Sequence, residues 1–501
     1  MRWYARALGG CVAVAVGLAL SPAGTAFAKP RPHPGPGPAA TSATLTASAA
    51  SIAQDSWVTL QAQVTSNGGT PAGSVTFTDA SNGSVLGTAT LVSGAATLTT
   101  AALAPGTRQL VASFNGGTSY ASSSSARLPI SVAQAGSDAV TYQIDAAHDG
   151  SQAFGAPSAS TLTEQWHVTL GGTGGDLAGA GEVSYPVIAG GRVFVTVENT
   201  QTYGTQLYAL DASTGATDWS VGLAGTYGFS ALAYDGQVIF ALNYDGLLTA
   251  FSASTGQELW TSLMPDQWAF TAPPTAYDGV VYVSGAGYGG YVYAVSEADG
   301  VVQWEGTVEN GDKSSPAVDD SGVYASYACQ QDYRFSLSGS LVWHHTTSCE
   351  GGGGSTAVLH GGDIYARGAY DTPVILSESS GASLGTFASR TAPAFDSNNM
   401  YTVYNGNLVA VDPSGSPDRW SFGDGTLVTA PVTAGGAVFV GSSTGMVYAV
   451  SATTGQQIWA GAAGSVIVGP DEQNADVLVG MAVGDGLLVV PAGNALAAFG
   501  S

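Results

Sequence analysis

Three short patterns in this 501-residue chain carry residue types that could do chemistry. Gly441-Ser442-Ser443-Thr444-Gly445 has the G-x-S-x-G spacing that exposes a nucleophilic serine on a strand-to-helix turn. Gly285-Ala286-Gly287-Tyr288-Gly289-Gly290 has the G-x-G-x-x-G spacing that brings backbone N–H groups up to a pyrophosphate when a helix follows. His344 and His345 could offer imidazole nitrogens to a metal. Each pattern needs an element that the flanking sequence does not supply. Both glycine-rich patterns lie between alternating apolar and polar runs, so they read as turns between strands. Adjacent histidines in a strand point to opposite faces. Asp319-Asp320 reads as a hairpin turn and not as a calcium loop. No catalytic set and no metal set is expected, and the chain is expected not to be an enzyme.

Composition says which elements must position any functional group. Glycine accounts for 70 residues and charged residues for 10%. Soluble domains average about 7% and about 25% respectively. Such a chain suits many tight turns and few helices, and its 45% hydrophobic content is enough for a sizeable core. Twelve Lys and Arg stand against 36 Asp and Glu, a net charge of −24. A nucleic-acid partner is excluded, because phosphate contact needs clustered Lys and Arg.

Arg2 and Arg6 precede an apolar run over residues 11–20, and Ala26-Phe27-Ala28 follows as an A-x-A site. Residues 1–28 are therefore expected to be an export signal. That run is too short to cross a bilayer, and no later stretch is long and apolar enough. The mature chain is expected to be secreted, at most held at a cell surface, and monomeric. An oxidising compartment makes a Cys329–Cys349 disulfide the expected state of the two cysteines left after cleavage. Residues 29–41 form a Pro-rich linker.

From 42 to 134 short runs alternate apolar and polar residues, as in Val58-Thr59-Leu60-Gln61-Ala62-Gln63-Val64. Turn signals such as Asn67-Gly68-Gly69 and Asn115-Gly116 separate them. Period two with turns at this spacing predicts an antiparallel β-sandwich. The phrase Gly73-Ser74-Val75-Thr76-Phe77, Leu103-Ala104-Pro105-Gly106, Phe114-Asn115-Gly116, Tyr120 resembles bacterial Ig-like repeats. That resemblance implies a spacer or an adhesion module.

Residues 135–160 read as a linker or lead-in, and 161–501 as a repeat. One unit is Leu207-Tyr208-Ala209-Leu210-Asp211, Thr214-Gly215, Trp219. Copies carry Trp260, Trp304, Trp343, Trp420 and Trp459, and one copy has Gly385 where the Trp should be. The last copy ends at Phe499 before any Trp, and Trp166 can supply the missing outer strand from the N-terminal side. A turn of the Asp-Gly kind precedes each unit. A period near forty with four strands per unit predicts an all-β, eight-bladed β-propeller behind the Ig-like sandwich. The repeat Trp rings are expected to pack between blades. The pattern resembles the repeat of pyrroloquinoline-quinone (PQQ)-type propellers. That family includes quinoprotein dehydrogenases, an outer-membrane assembly lipoprotein and sensor regions of some bacterial kinases. The adjacent Cys-Cys pair of many alcohol-oxidising members is absent, and no residue here can be matched to the family's calcium ligands. No cofactor is expected, with PQQ and calcium as the alternative.

The two short turns of each unit fall at one end of a four-stranded blade. All remaining loops must gather at the other end. The long loops are 198–206, 264–270, 284–291, 328–333, 345–355 and 368–372. Loops on a rigid scaffold carry function more often than the scaffold does. The candidate binding rim is therefore Tyr203, Trp268, Tyr288, Tyr291, Asp332, Tyr333, Glu350, Tyr370 and Asp371. The expected function is a secreted, non-catalytic binding or scaffold protein whose partner is an extracellular protein or a polysaccharide. The alternatives are a PQQ- and calcium-dependent dehydrogenase and a carbohydrate-binding or carbohydrate-active protein.

Overall fold

The computed structural model describes residues 37–48, 51–53, 58–103, 106–133, 138–153, 155–172, 175, 177–287, 289–309, 314–347, 353–368 and 371–501. The expected signal, most of the Pro-rich linker and residues 134–137 lie outside them. The chain divides into two compact units. Apart from one short 3-10 turn at Leu177–Gly179, the named elements are all β-strands.

In the N-terminal unit, alternation becomes burial. Val58, Leu60, Ala62 and Val64 of strand Val58–Ser66 point inward, and the residues between them face out. One sheet joins Thr41–Ala47, Val58–Ser66 and Ala95–Thr100. The other runs Ser51–Ala53, Leu128–Ala133, Gly106–Phe114, Ser74–Asp79, Ser84–Thr90.

In the C-terminal unit the described residues form eight sheets, six of four antiparallel strands and two with one added strand, which in one of them, Ser151–Gln152, pairs parallel. The first contains Val187–Ala189, Arg192–Asn199, Thr205–Asp211 and Thr217–Leu223. Innermost strands of successive sheets lie side by side around an axis, and that of the eighth, Ala482–Gly484, returns beside Val187–Ala189. Trp166 lies in strand Thr163–Thr169, which pairs with the C-terminal strand Ala495–Gly500, so an N-terminal strand completes the eighth sheet. No sheet edge is left open at the seam.

The repeat Trp residues join each sheet to the next. Trp166, Trp219, Trp260, Trp304, Trp343 and Trp420 each donate an indole N–H to a carbonyl in the outer turn of the following sheet. Their rings lie against the glycine of that turn: a Cβ at Gly215 would stand 2.7 Å from the Trp166 ring. Gly215 has φ +69°, so glycine is required there both by conformation and by contact. Trp459 meets Phe499 edge-on at 5.1 Å.

Residues 138–152 enter the axis and bond to every sheet. Ala139 exchanges backbone hydrogen bonds with Ile188 of the first sheet. The carbonyl of Val140 accepts from Tyr234 N–H, and Thr141 donates to Pro274 C=O. Carbonyls of Ala146, Ala147, Asp149 and Gly150 accept from Val318, Leu359, Phe395 and Thr433, and Gln152 donates to Val483 C=O. His148 is fully buried; its Nδ1 is bonded to Tyr142 C=O at 2.6 Å, and its Nε2 lies 3.1 Å from Thr275 and Pro316 oxygens. Burial pushes the pKa of its imidazole down. Gln143, Ile144 and His148 all hold positive φ. For a β-branched residue such as Ile144 that is a genuine outlier, held in place by its surroundings.

Candidate binding rim and its central cavity

In each sheet the innermost strand runs toward a short turn, so the second-to-third turns and the sheet-to-sheet connections collect at the opposite end. Tyr203 and Trp268 project from this rim and are exposed. Tyr291 is half-buried against Tyr293, and its carbonyl accepts from the Tyr327 hydroxyl. Asp332 and Tyr333 are corrections to the expected rim, since both are buried in strand Gln331–Phe335. The turn is shorter than the sequence suggests because Cys329 and Gln330 both adopt positive φ and reverse the chain at once. Asp332 takes a hydrogen bond from Ser326, and Tyr333 stacks on His344 at 4.1 Å. Asp371 is half-buried and lines the cavity described below. Tyr288, Cys349, Glu350 and Tyr370 lie outside the described residues. The described residues of the three opening motifs sit in strands and turns: Ser442, for example, is buried and bonded to Thr426 and Thr444.

Sequence reasoning missed two groups on this rim. Tyr227 and Tyr244 continue the aromatic line from Tyr203, with ring centroids 6.0 Å and then 4.4 Å apart. Their signal was a tyrosine in a Gly-flanked connection, Gly225-Thr226-Tyr227-Gly228, and another just before the Asp245-Gly246 turn. The second group is an ion pair. The connection between the seventh and eighth sheets carries Glu472 across to Arg367 of the fifth, where the two meet at 2.7 Å, both buried. The Thr356 N–H and Gln473, which bonds Gly354 C=O, fix the same crossing. Burial alone would raise the Glu472 pKa, but the Arg367 charge and the hydrogen bonds from Thr356 and Arg367 outweigh it and hold the carboxyl below the usual value. Beside the pair is a cavity of about 550 Å³, lined by Asp371, Arg390, Tyr404 and Asp471 among others. That volume suits a small ligand or one unit of a polymer.

Carboxyls elsewhere in this unit are pushed the other way. Burial, with help from Asp371, raises Asp332 to about 7. Burial likewise raises Asp138, beside Asp485, and Asp145, beside Asp149, to about 7 each. Between the ordinary value near 4 and 7 these groups are protonated when folded and ionised when unfolded. Unfolding then releases protons, so stability falls as pH rises through that window, by about 1.4 kcal/mol per pH unit for each fully shifted group. The thermal midpoint should be higher at pH 4.5 than at pH 7.5 by on the order of 5 °C or more. Asp332→Asn should flatten the dependence. A midpoint that rises from pH 4.5 to 7.5 would contradict these shifts.

The family described as outer membrane protein assembly factor BamB matches residues 152–330 and 374–499. The chain belongs to that family. In this BamB-family chain, residues 45–133 also match the bacterial Ig-like domain family, group 3. No curated protein matches it. Quinohemoprotein alcohol dehydrogenase from Comamonas testosteroni is a similar solved structure, at 15% identity and TM-score 0.56, covering 73% of this chain and 80% of that one. BamB from Moraxella catarrhalis has 15% identity and TM-score 0.50, covering 68% and 100%. A europium-containing methanol dehydrogenase has 15% identity and TM-score 0.53, covering 66% and 86%. At such identity the likeness carries the fold, a PQQ-type propeller. It also corrects the expectation that the chain is not an enzyme. Alcohol- and methanol-oxidising enzymes stand among the structures it resembles, so the lack of a recognisable catalytic motif does not set this BamB-family chain apart from them.

The quinone and metal of such enzymes make demands that the residues present can be held against. A quinone bearing three carboxylates needs cations that are free to meet it. Among the described residues Arg367 is the only buried Lys or Arg, and Glu472 already neutralises it. No group of three or more His, Cys, Asp or Glu among them stands close enough to hold a metal ion. The described residues therefore offer that cofactor no ready metal cluster, and Arg390 on the cavity wall is the cation nearest the buried pair. No helix among them is long and apolar enough to cross a membrane.

Proposed function

We propose that this chain is an exported, monomeric binding and scaffold protein that presents its long-loop rim to an extracellular partner. One observation carries the reading. The strongly exposed aromatic side chains among the described residues are Tyr203 at 61%, Trp268 at 54%, Tyr227 at 42% and Tyr404 at 40%, and all four lie at the long-loop end. Exposed aromatic rings gathered on one surface mark a contact site, because burying them is the largest gain such a surface can make. Membership of a family described by an assembly factor supports a binding role. A Cys329–Cys349 disulfide bracing this end belongs to the same reading, supported by the burial and disulfide-bonded state of Cys329.

A triple variant, Tyr203→Ala with Trp268→Ala and Tyr404→Ala, should lose at least tenfold in retention on the cell-envelope and extracellular fractions of producing cells. Its thermal midpoint should barely move, since exposed substitutions stay within about 0.5 kcal/mol. Equal retention of variant and parent would remove the rim from the function.

A further inference from the structure

The line Tyr203, Tyr227, Tyr244 is held more rigidly than exposed side chains usually are. Tyr203 adopts φ +60°, a conformation that a bulky residue keeps only when its surroundings impose it. Asn199 Oδ1 accepts from the N–H groups of Gln201 and Thr202, which fixes the turn before it. The next N–H, of Gly204, donates to the Tyr227 carbonyl at 3.0 Å, tying the first loop to the second. The second loop is tied to the third in turn: Thr226 N–H donates to Asp245 Oδ2 at 2.8 Å, and the Asn243 amide donates to Ala224 C=O at 2.8 Å. The Tyr244 carbonyl then accepts from Phe270 N–H, two residues beyond Trp268. Three loops from two sheets thus form one preassembled surface, and ordering it on binding costs little.

The chemistry between the rings narrows the partner. Gln201, Thr202 and Thr226 are exposed beside them, and Asp245 is half-exposed. Rings set among hydroxyl, amide and carboxylate groups suit a ligand that is itself apolar on one face and hydroxylated at its edge. A pyranose has that character: its axial C–H face is drawn to the negative face of an aromatic ring, and its equatorial hydroxyls meet the polar neighbours. Charge removes the polyanionic glycans, because Asp245 and Asp266 flank the line on a chain of net charge −24, with no Lys or Arg between residues 193 and 312.

We infer that the edge-to-face cluster Tyr203–Tyr227–Tyr244 is a docking surface for a neutral polysaccharide, with sugar faces stacking on its exposed rings, Tyr203 above all. The inference rests on the rim reading above and names the partner class for one part of it. The test uses the full-length exported protein against purified neutral polysaccharides (cellulose, xylan, mannan, starch and a β-1,3-glucan), with polygalacturonate as the anionic comparison. Saturable binding to at least one neutral polymer and none to polygalacturonate is expected. Tyr203→Ala should weaken it about tenfold, the effect of one lost aromatic stacking contact. Tyr203→Phe should retain it, since the ring and not the hydroxyl makes the contact. Leu259→Ala, on an exposed outer strand, should leave it unchanged. Binding that survives a Tyr203→Ala/Tyr227→Ala double variant overturns the inference, as does absence of binding to every neutral polymer. If the double variant instead loses retention of an extracellular protein, the polysaccharide inference fails and the rim reading stands.

Discussion

A chain from which residues 138–170 have been deleted should fail to show one cooperative melting transition for its propeller. Two closures disappear together. The eighth sheet loses its outer strand Thr163–Thr169, leaving the backbone of Ala495–Gly500 as an open edge. The axis loses the segment that bonds all eight sheets, and carbonyl and N–H groups on the innermost strands are left buried without partners. Each such group costs about 1–3 kcal/mol. With several stranded at once, the sum exceeds the whole stability of an ordinary domain, about 5–15 kcal/mol. Calorimetry on the deletion and the parent checks this. A single transition within a few degrees of the parent's would show that the ring closes without its N-terminal strands. Trp166→Ala is the milder version: it removes one indole bond and one buried ring, and a loss of about 3–5 kcal/mol is expected.

Glu472→Ala should cost about 3–5 kcal/mol, because it leaves Arg367 charged, buried and without its partner. Replacing the pair together, Arg367→Met with Glu472→Leu, should recover most of that loss, since a buried ion pair is often no better than a packed apolar pair. Denaturant midpoints of the parent, Arg367→Met, Glu472→Leu and the double variant give the coupling directly. Additive losses in the double variant would mean that the two residues act through other contacts. The pair also has an acid limit. The folded pKa of Glu472 lies below the ordinary value of 4.5, so its contribution is complete above 4.5 and is lost as pH falls through the lower, folded value. The sign is opposite to that of Asp138, Asp145 and Asp332, whose raised values weaken the fold as pH rises from about 4 to 7.

The ring was legible because each repeat writes its own turn chemistry and its own Trp, and those contacts reach only to the next sheet. Trp166 could be matched to Phe499 because one repeat lacked an ending and one strand lacked a repeat. Residues 138–152 were not legible as an axial element. Their partners come from strands spread over the whole length of the propeller, and their sequence has neither period two nor the repeat's punctuation. The rim was read in part. Tyr203 and Trp268 are large rings in polar loops, and exposure follows from that setting. Asp332 and Tyr333 misled because a polar residue facing Ser326 across a strand pair looks in sequence like a loop residue. Arg367 and Glu472 are 105 positions apart, and nothing local to either announces the other.

The pairing of Thr163 with Gly500 sets an order of events. Each sheet's hairpins close over a handful of residues and can form as soon as they exist. The outer strand of the last sheet is among the first parts of the propeller to be made and has nothing to pair with until the very last strand arrives. Through all the intervening synthesis the ring is an arc with two unfinished ends. Contacts of such sequence separation are slow to form, so completion of the ring, not formation of its sheets, is the event expected to close the propeller against aggregation.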